Sequence, residues 1–368
     1  MNTPVDTDQV EDGNLVDQTC EVVSAQPIDD LLMRLHKMSV NNKVDDMRSQ
    51  ARNAEFVLGR LALAGQITVF YAAPNTGKTL ITLYLVAEAI ANGTTAKNVY
   101  HINLDDSFEG LIEKADLGNR YGFSILGPDT FTRPNEQFRQ LVEELIREGC
   151  ERDTIFILDT VKKFVDVMDK KASSHFMSTC RMLSAAGGTV IALAHVNKKQ
   201  SDSGTAIPAG TSDILDDCDC AYVMDIFDEK PVIEGKIRTV EFLQKKARGP
   251  VVESATYSYQ TNGDADYESM FNSVRQIDGS EADKMRRAKA IEVLKSADLH
   301  LITKITSFLD TTNAKSQKEV LCYLENIGGI SRRSAIACLK KWSCAAEEGG
   351  VWVLRKGDSN SNLYSLLS

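Results

Sequence analysis

The chain has 368 residues, 43% hydrophobic and 26% charged, an ordinary make-up for a soluble globular protein and enough chain for two domains. A formal net charge of −10 excludes a global nucleic-acid footprint, although residues 281–368 alone carry 14 Lys/Arg against 10 Asp/Glu. The eight cysteines form no C-x-x-C pair, which argues against zinc and for reduced thiols; no apolar run approaches the ~18–20 residues of a membrane span, so a cytoplasmic protein without membrane contact is expected.

Residues 1–28 are acidic and lack periodicity, which predicts a disordered tail: a solvating one, a peg for a partner, or a DNA mimic over a basic site. Residues 29–54 read as a helical segment, with Asp29 or Asp30 capping a stripe of Leu31, Leu32, Met33 and Leu35. It can pack on its own core or on a neighbouring subunit.

The strongest local signal is Ile67 to Leu80, ITVFYAAPNTGKTL, followed by the apolar helix LITLYLVAEAIA. Strand, loop, Lys-Thr and helix form the setting of a phosphate-binding loop, whose backbone N–H groups and helix start attract phosphate. The cradle would be Ala73, Pro74, Asn75, Thr76, Gly77, Lys78, Thr79 and Leu80, with Lys78 reaching the β- and γ-phosphates of ATP and the Thr79 hydroxyl holding Mg²⁺. One letter departs from G-x-x-x-x-G-K-[ST]: Ala72 stands at the first glycine, where easy access to positive φ is lost.

Further along, Asn98–Leu104 reads as a strand ending in Asp105 and Asp106, Ser107–Leu117 as a helix, Ser124–Leu126 as a short strand and Asn135–Glu148 as an amphipathic helix. Thr154–Asp159 is a continuous apolar run tipped by an acid, the look of a buried parallel strand. Asp159 can orient Mg²⁺ or its water shell opposite Thr79, or simply cap a turn. After a helix over Ser173–Ala186, the strand Thr189–His195 ends in a histidine that either senses the γ-phosphate or is structural. The polar loop Asn197–Ser212, with Lys198 and Lys199, is a candidate contact for single-stranded DNA, though it lacks aromatics for stacking. Strands over Ala221–Met224 and Arg238–Leu243 follow. Lys246 and Arg248 then share a strand face, either as surface cations or as an arginine-finger pair acting across a subunit boundary.

In this order AAPNTGKT, INLDD, IFILDT, VIALAH and QKKARGP resemble the RecA-like ATPase core, most of all the hexameric RepA-type plasmid and phage helicases and their DnaB-like relatives. The resemblance covers residues 55–260 and implies an α/β fold, a mostly parallel sheet flanked by helices. It implies ATP and Mg²⁺ as cofactors and hydrolysis sites shared between subunits of a ring. The family's water-activating acid falls on Asp105, where Glu is usual, with Asp106 or Glu109 as substitutes. Its strand-end sensor falls on His195 and its Lys-x-Arg pair on Lys246 and Arg248.

Residues 261–280 are rich in Gly, Asp and Ser and predict a linker. In 281–368 the pattern predicts helices over Glu281–Ser296 and Ile302–Leu309, a capping box Ser316-x-x-Glu319, a helix through Trp342 and a terminal hairpin. This resembles a small winged-helix domain, with Arg332, Arg333, Lys340 and Lys341 on the helix that would meet DNA phosphates.

The expected function is an ATP-driven helicase or translocase on single-stranded DNA, a hexameric ring serving replication of a plasmid, phage or other mobile element alongside replication proteins. The alternatives are a DNA-binding ATPase switch in replication initiation, loading or regulation, and a nucleotide-dependent scaffold with negligible turnover.

Overall fold

The computed structural model describes residues 26–45, 55–93, 98–152, 154–200, 206–209, 212–261, 266–310 and 312–367. The expected acidic tail lies outside them as far as residue 25. The chain divides into two units, Met1–Asn53 and Ala54–Ser368. In the first, α1 (Gln26–Met38) leads into a short 3₁₀ turn at Val40–Lys43 capped by Ser39. Leu31, Leu32, Met33 and Leu35 of α1 are all exposed.

The second unit begins with a small antiparallel pair, β1 (Phe56–Leu58) and β2 (Ala62–Leu63). Six consecutive buried residues then form β3 (Ile67–Ala72). A strand buried on both faces has no use for alternation, which is why it reads as a plain apolar run. Next come α2 (Lys78–Ala91), β4 (Asn98–Asn103), α3 (Phe108–Tyr121), β5 (Ser124–Leu126), α4 (Pro134–Glu148) and β6 (Thr154–Asp159). They are followed by α5 (Val161–Phe164), α6 (Lys170–Ala186), β7 (Thr189–Gln200), β8 (Ala206–Pro208), α7 (Ser212–Asp217), β9 (Cys220–Val232), β10 (Gly235–Lys246) and β11 (Ser254–Thr261).

With β12 (Arg275–Ile277), these strands build a ten-stranded sheet in the order β12-β11-β10-β9-β3-β7-β6-β4-β5, with β8 on β7. From β9 to β5 neighbours run parallel, and β10 to β12 extend the sheet antiparallel. Side chains of β3 point alternately to two cores. Phe70 joins Leu83, Val86, Leu117 and Tyr257 on the α2 and α3 face. Val69 and Tyr71 join Phe138, Phe176 and Leu183 on the α4 and α6 face. The protein is thus an α/β fold with a large, partly parallel central sheet covered by helices. Among the described residues no helix is long and apolar enough to cross a membrane.

Several elements differ from the sequence expectation. The polar stretch after His195 is not a loop at its start: β7 continues through Lys198 and Lys199 to Gln200, and β8 pairs back on it. A backbone ladder sustains that strand, so side-chain hydrophobicity gives no sign of it. The expected linker contains α8 (Tyr267–Asn272), capped by Asp266, and β12, whose Ile277 pairs with Thr256. The two helices expected after Glu281 are one, α9 (Gly279–Thr306), 28 residues long. No Gly or Pro interrupts it. Asp298, midway, accepts hydrogen bonds from Lys341 Nζ (2.7 Å) and Trp342 Nε1 (3.0 Å), so the polar step is satisfied without a turn.

Beyond α9 lie β13 (Lys315–Ser316), α10 (Gln317–Ile327), α11 (Arg332–Lys341), β14 (Trp352–Lys356) and β15 (Asn362–Leu366). The Ser316–Glu319 capping box forms at the head of α10 as its spacing predicts. The strands make a three-stranded antiparallel sheet, β13-β15-β14. A separate apolar cluster of Ile305, Leu321, Leu339, Trp342, Trp352 and Tyr364 holds this part together. Trp352 is its centre, fully buried with its indole N–H donating to Leu339 O at 2.8 Å.

Candidate functional site

At one edge of the parallel part of the sheet β3 turns into Ala73–Gly77 and enters α2, beside the ends of β4 and β6 and beside His195, which is level with Ala72 within the longer β7. The resulting cleft, ≈ 810 Å³, is lined by Ala73–Leu80, Asp105, Asp106, Lys114, Asp159 and His195, and on its far wall by Arg238, Tyr259, Thr261, Tyr267 and Met270.

The loop has the geometry of a phosphate cradle. Positive φ falls on Asn75 (62°) and Gly77 (88°), not on Ala72. Ala72 is the last extended residue of β3, paired with His195 and Met224. Its methyl therefore meets no conformational penalty, and the missing first glycine costs the loop nothing. Thr76 Oγ1 donates to Ala73 O (2.9 Å), and Arg238 Nη1, reaching from β10, donates to Asn75 O (2.9 Å). The start of α2 has no side-chain cap and no acid in its first turn, which leaves its backbone N–H groups for an anion.

Gly77 is doubly constrained. Besides its φ of +88°, a Cβ there would lie 2.7 Å from the Tyr259 ring. Gly77→Ala should therefore disturb the loop, and binding of a fluorescent ATP analogue, followed by anisotropy, should fall at least about tenfold, the equivalent of ~1.4 kcal/mol. An unchanged dissociation constant would remove this loop from the site.

At the cleft floor, Lys78 and Asp159 are both buried, with 8% and 3% of their surface exposed. Lys78 Nζ lies 3.6 Å from Asp159 Oδ1, and Thr79 Oγ1 donates to Oδ2 at 2.6 Å. His101 Nε2 is 3.4 Å from the same Oδ2. Burial alone would raise the Asp159 pKa, but His101, Lys78 and Thr79 outweigh it and hold the carboxyl ionised, well below the usual carboxylate range. One hydroxyl and one ionised carboxylate suit Mg²⁺ bound chiefly through phosphate oxygens and water. No cluster of three or more His, Cys, Asp or Glu able to hold a metal occurs among the described residues.

The two acids at the tip of β4 have different partners. Asp106 accepts from Asn103 Nδ2 (2.6 Å) and pairs with buried Lys114 (2.5 Å), whose Nζ also sits 4.2 Å from the Tyr267 ring centroid. Asp105 pairs with Lys163 (3.1 Å) and Lys162 (3.4 Å), both on α5 and both substantially exposed. Partial burial pushes the Asp105 carboxyl up, and the two ammonium groups bring it to a net shift below its ordinary value. His195 lines the same cleft, beside the backbone of Ala72. Burial, then Lys78 and Lys162, lower its pKa against the opposing pull of Asp105, which favours the neutral imidazole.

Other residues singled out by sequence lie elsewhere. Lys246 is in register with Ala221, itself opposite Val69, three residues and about 10 Å along the strands before β3 ends at Ala72. Its Nζ donates to the carbonyls of Leu215 (2.9 Å) and Asp216. Arg248 pairs with buried Asp219 (3.1 Å), which also accepts from Arg181 and Ile67 N, and its side chain is 58% exposed. Lys198 and Lys199 lie on β7 past its last pairing with β3. Arg332, Arg333, Lys340 and Lys341 lie on α11. Arg332 pairs with Glu325 and Lys341 with Asp298, while Arg333 and Lys340 are exposed.

Sequence reasoning missed His101, Arg238, Tyr259, Lys114 and Tyr267. None has a local signature, since each reaches the cleft through strand register or helix packing. Lys162 and Lys163 did leave one, a cation pair directly after the acid-tipped strand.

The fold and the cleft together define an α/β protein with a strand-to-helix loop and a polar cleft beside the parallel part of its sheet. No family model matches the chain, and no curated protein does. Among solved structures, one described as the crystal structure of the RadB recombinase is similar with a TM-score of 0.38 and 15% identity, over 58% of this chain and 92% of that one.

Proposed function

We propose that this chain is a magnesium-dependent ATPase with a RecA-like core, working as a RepA-like helicase or translocase on single-stranded DNA in replication of a plasmid, phage or other mobile element. The observation that carries the reading is the cradle itself: an uncapped helix start, buried Lys78 and the Thr79–Asp159 pair converge at one strand edge. In this reading the backbone of Ala73–Leu80 and Lys78 grip the phosphates. Bound magnesium supplies positive charge to the oxygens where negative charge builds, with Thr79 and Asp159 as the residues facing it. Asp105 orients the attacking water. Its partners are exposed lysines that can swing away, whereas Asp106 is fixed between Asn103 and Lys114. His195, lining the same cleft, reads the γ-phosphate.

Lys246 and Arg248 do not line their own cleft. Their exposed edge suits a role toward the site of a neighbouring copy, which implies a ring, hexameric by the family resemblance. The helices and three-stranded sheet after residue 278 are read as a winged-helix module. Its exposed Arg333 and Lys340 favour a second reading, an ATPase switch that this module places on DNA. A forked-duplex assay separates the two: the motor displaces a strand when ATP is added, the switch does not. ATP turnover that is negligible with and without single-stranded DNA would leave only a scaffold.

Duplex binding tests the module. Each phosphate contact contributes about 0.9 to the slope of log affinity against log salt. Arg333→Ala with Lys340→Ala should weaken binding similarly on unrelated sequences and lower that slope by about 2. An unchanged slope would assign DNA to another surface.

A further inference from the structure

His101 stands in the middle of β4, wholly buried, in register with Ile125 of β5 and Ile157 of β6. Two residues past Ile157, on the same face of the sheet, is Asp159. Diagonal neighbours on adjacent strands come within reach of longer side chains, and here Nε2 of His101 lies 3.4 Å from Asp159 Oδ2. An ionised carboxylate can only accept, so Nε2 is the protonated nitrogen and donates. Nδ1, buried on the other side of the ring, has no hydrogen-bond partner. A half-paired imidazole inside a sheet is a poor choice for stability alone, since an apolar side chain in its place would leave no buried nitrogen unsatisfied. What the ring provides is a fixed direction for the carboxylate.

Asp159 Oδ2 receives two donors, Thr79 Oγ1 at 2.6 Å and His101 Nε2, while Oδ1 is turned toward Lys78 Nζ at 3.6 Å. Under the ATPase reading above, on which this inference rests, the Thr79 hydroxyl must turn away from Oδ2 to face a cation. The carboxylate then loses its shorter tether and is free to rotate unless something else holds it. His101 is locked between two strands and cannot follow Thr79.

We propose that His101 is a positioning residue for the magnesium-facing carboxylate, pinning Oδ2 against the sheet so that Oδ1 stays presented to the cleft. Outer partners of this kind typically change metal affinity 10- to 100-fold when removed. Nothing in the proposal has His101 touch the nucleotide.

The test is binding of a fluorescent, slowly hydrolysed ATP analogue to the full chain, read by anisotropy across a Mg²⁺ titration and separately in EDTA. His101→Leu should raise the half-saturating Mg²⁺ concentration at least about tenfold and leave affinity in EDTA unchanged. His101→Gln, whose amide N–H can reach the same oxygen, should recover most of the difference. Thermal melting without nucleotide reports whether each variant folds. If His101→Leu does not, His101→Gln against the shorter His101→Asn replaces it, with Gln expected near wild type and Asn shifted. A folded His101→Leu with wild-type Mg²⁺ dependence overturns the positioning role and leaves the ATPase reading standing. So does a loss of affinity that is equal with and without Mg²⁺. If the wild-type chain itself binds no nucleotide with Mg²⁺, both fall together.

Discussion

Lys78→Ala should lose essentially all magnesium-dependent ATP turnover, at least 10²–10³-fold by the usual weight of one preorganised donor on a developing charge. The same substitution should destabilise the folded chain. Lys78 and Asp159 are a buried pair at 3.6 Å, and removing one member of such a pair strands the other charge, typically at about 3–5 kcal/mol. Here His101 and Thr79 still hold the carboxylate, so the lower end of that range is expected. The two consequences separate in a double variant. Adding Asp159→Asn to Lys78→Ala removes the stranded charge and should restore part of the stability while turnover stays absent. Steady-state phosphate release and chemical denaturation measure the two. Turnover of Lys78→Ala within tenfold of wild type would mean that phosphate is bound elsewhere.

Arg248→Ala should cost on the order of 10³-fold in turnover of the assembled protein, the low end for an arginine supplied in trans. Its cause would differ from that of Lys78→Ala, because Arg248 lies at the opposite edge of the sheet. Mixing distinguishes them. Copies carrying Lys78→Ala keep an intact Arg248, and copies carrying Arg248→Ala keep an intact cradle. Neither turns over ATP alone, yet a mixed assembly should regain activity wherever one of each kind adjoin. No activity on mixing, in assemblies shown by particle imaging to contain both, would deny the role across a boundary. The fold should tolerate the change, since Asp219 keeps Arg181 and the backbone of Ile67 when Arg248 is truncated.

Much of the core is legible in the sequence. Ile67–Ala72, Thr154–Asp159 and Thr189–His195 read as buried parallel strands because each is a short apolar run closed by a turn or a polar residue. The capping box at Ser316 was equally plain, being a contact between residues three apart. Where the reading went astray, local pattern and long-range pairing disagreed. The polar half of β7, the strand β12 within the expected linker, and the continuity of α9 past Asp298 all depend on partners distant in the chain. Ala72 is of the same kind: its extended conformation follows from pairing with His195 and Met224, far along the chain.

By itself the sequence determined a helix start carrying Lys78-Thr79 and apolar strands leading to Asp105, Asp159 and His195, because strand, turn and helix signals are set by neighbours within a few residues. Only the tertiary structure decided that these residues line one cleft, that Arg238 and Tyr259 brace the loop from the antiparallel half, that His101 lies beside Asp159, and that Arg248 sits at the far end of β3. Those relations are fixed by strand order and register among segments far apart in sequence, and the packing of the whole sheet, not any local preference, selects them.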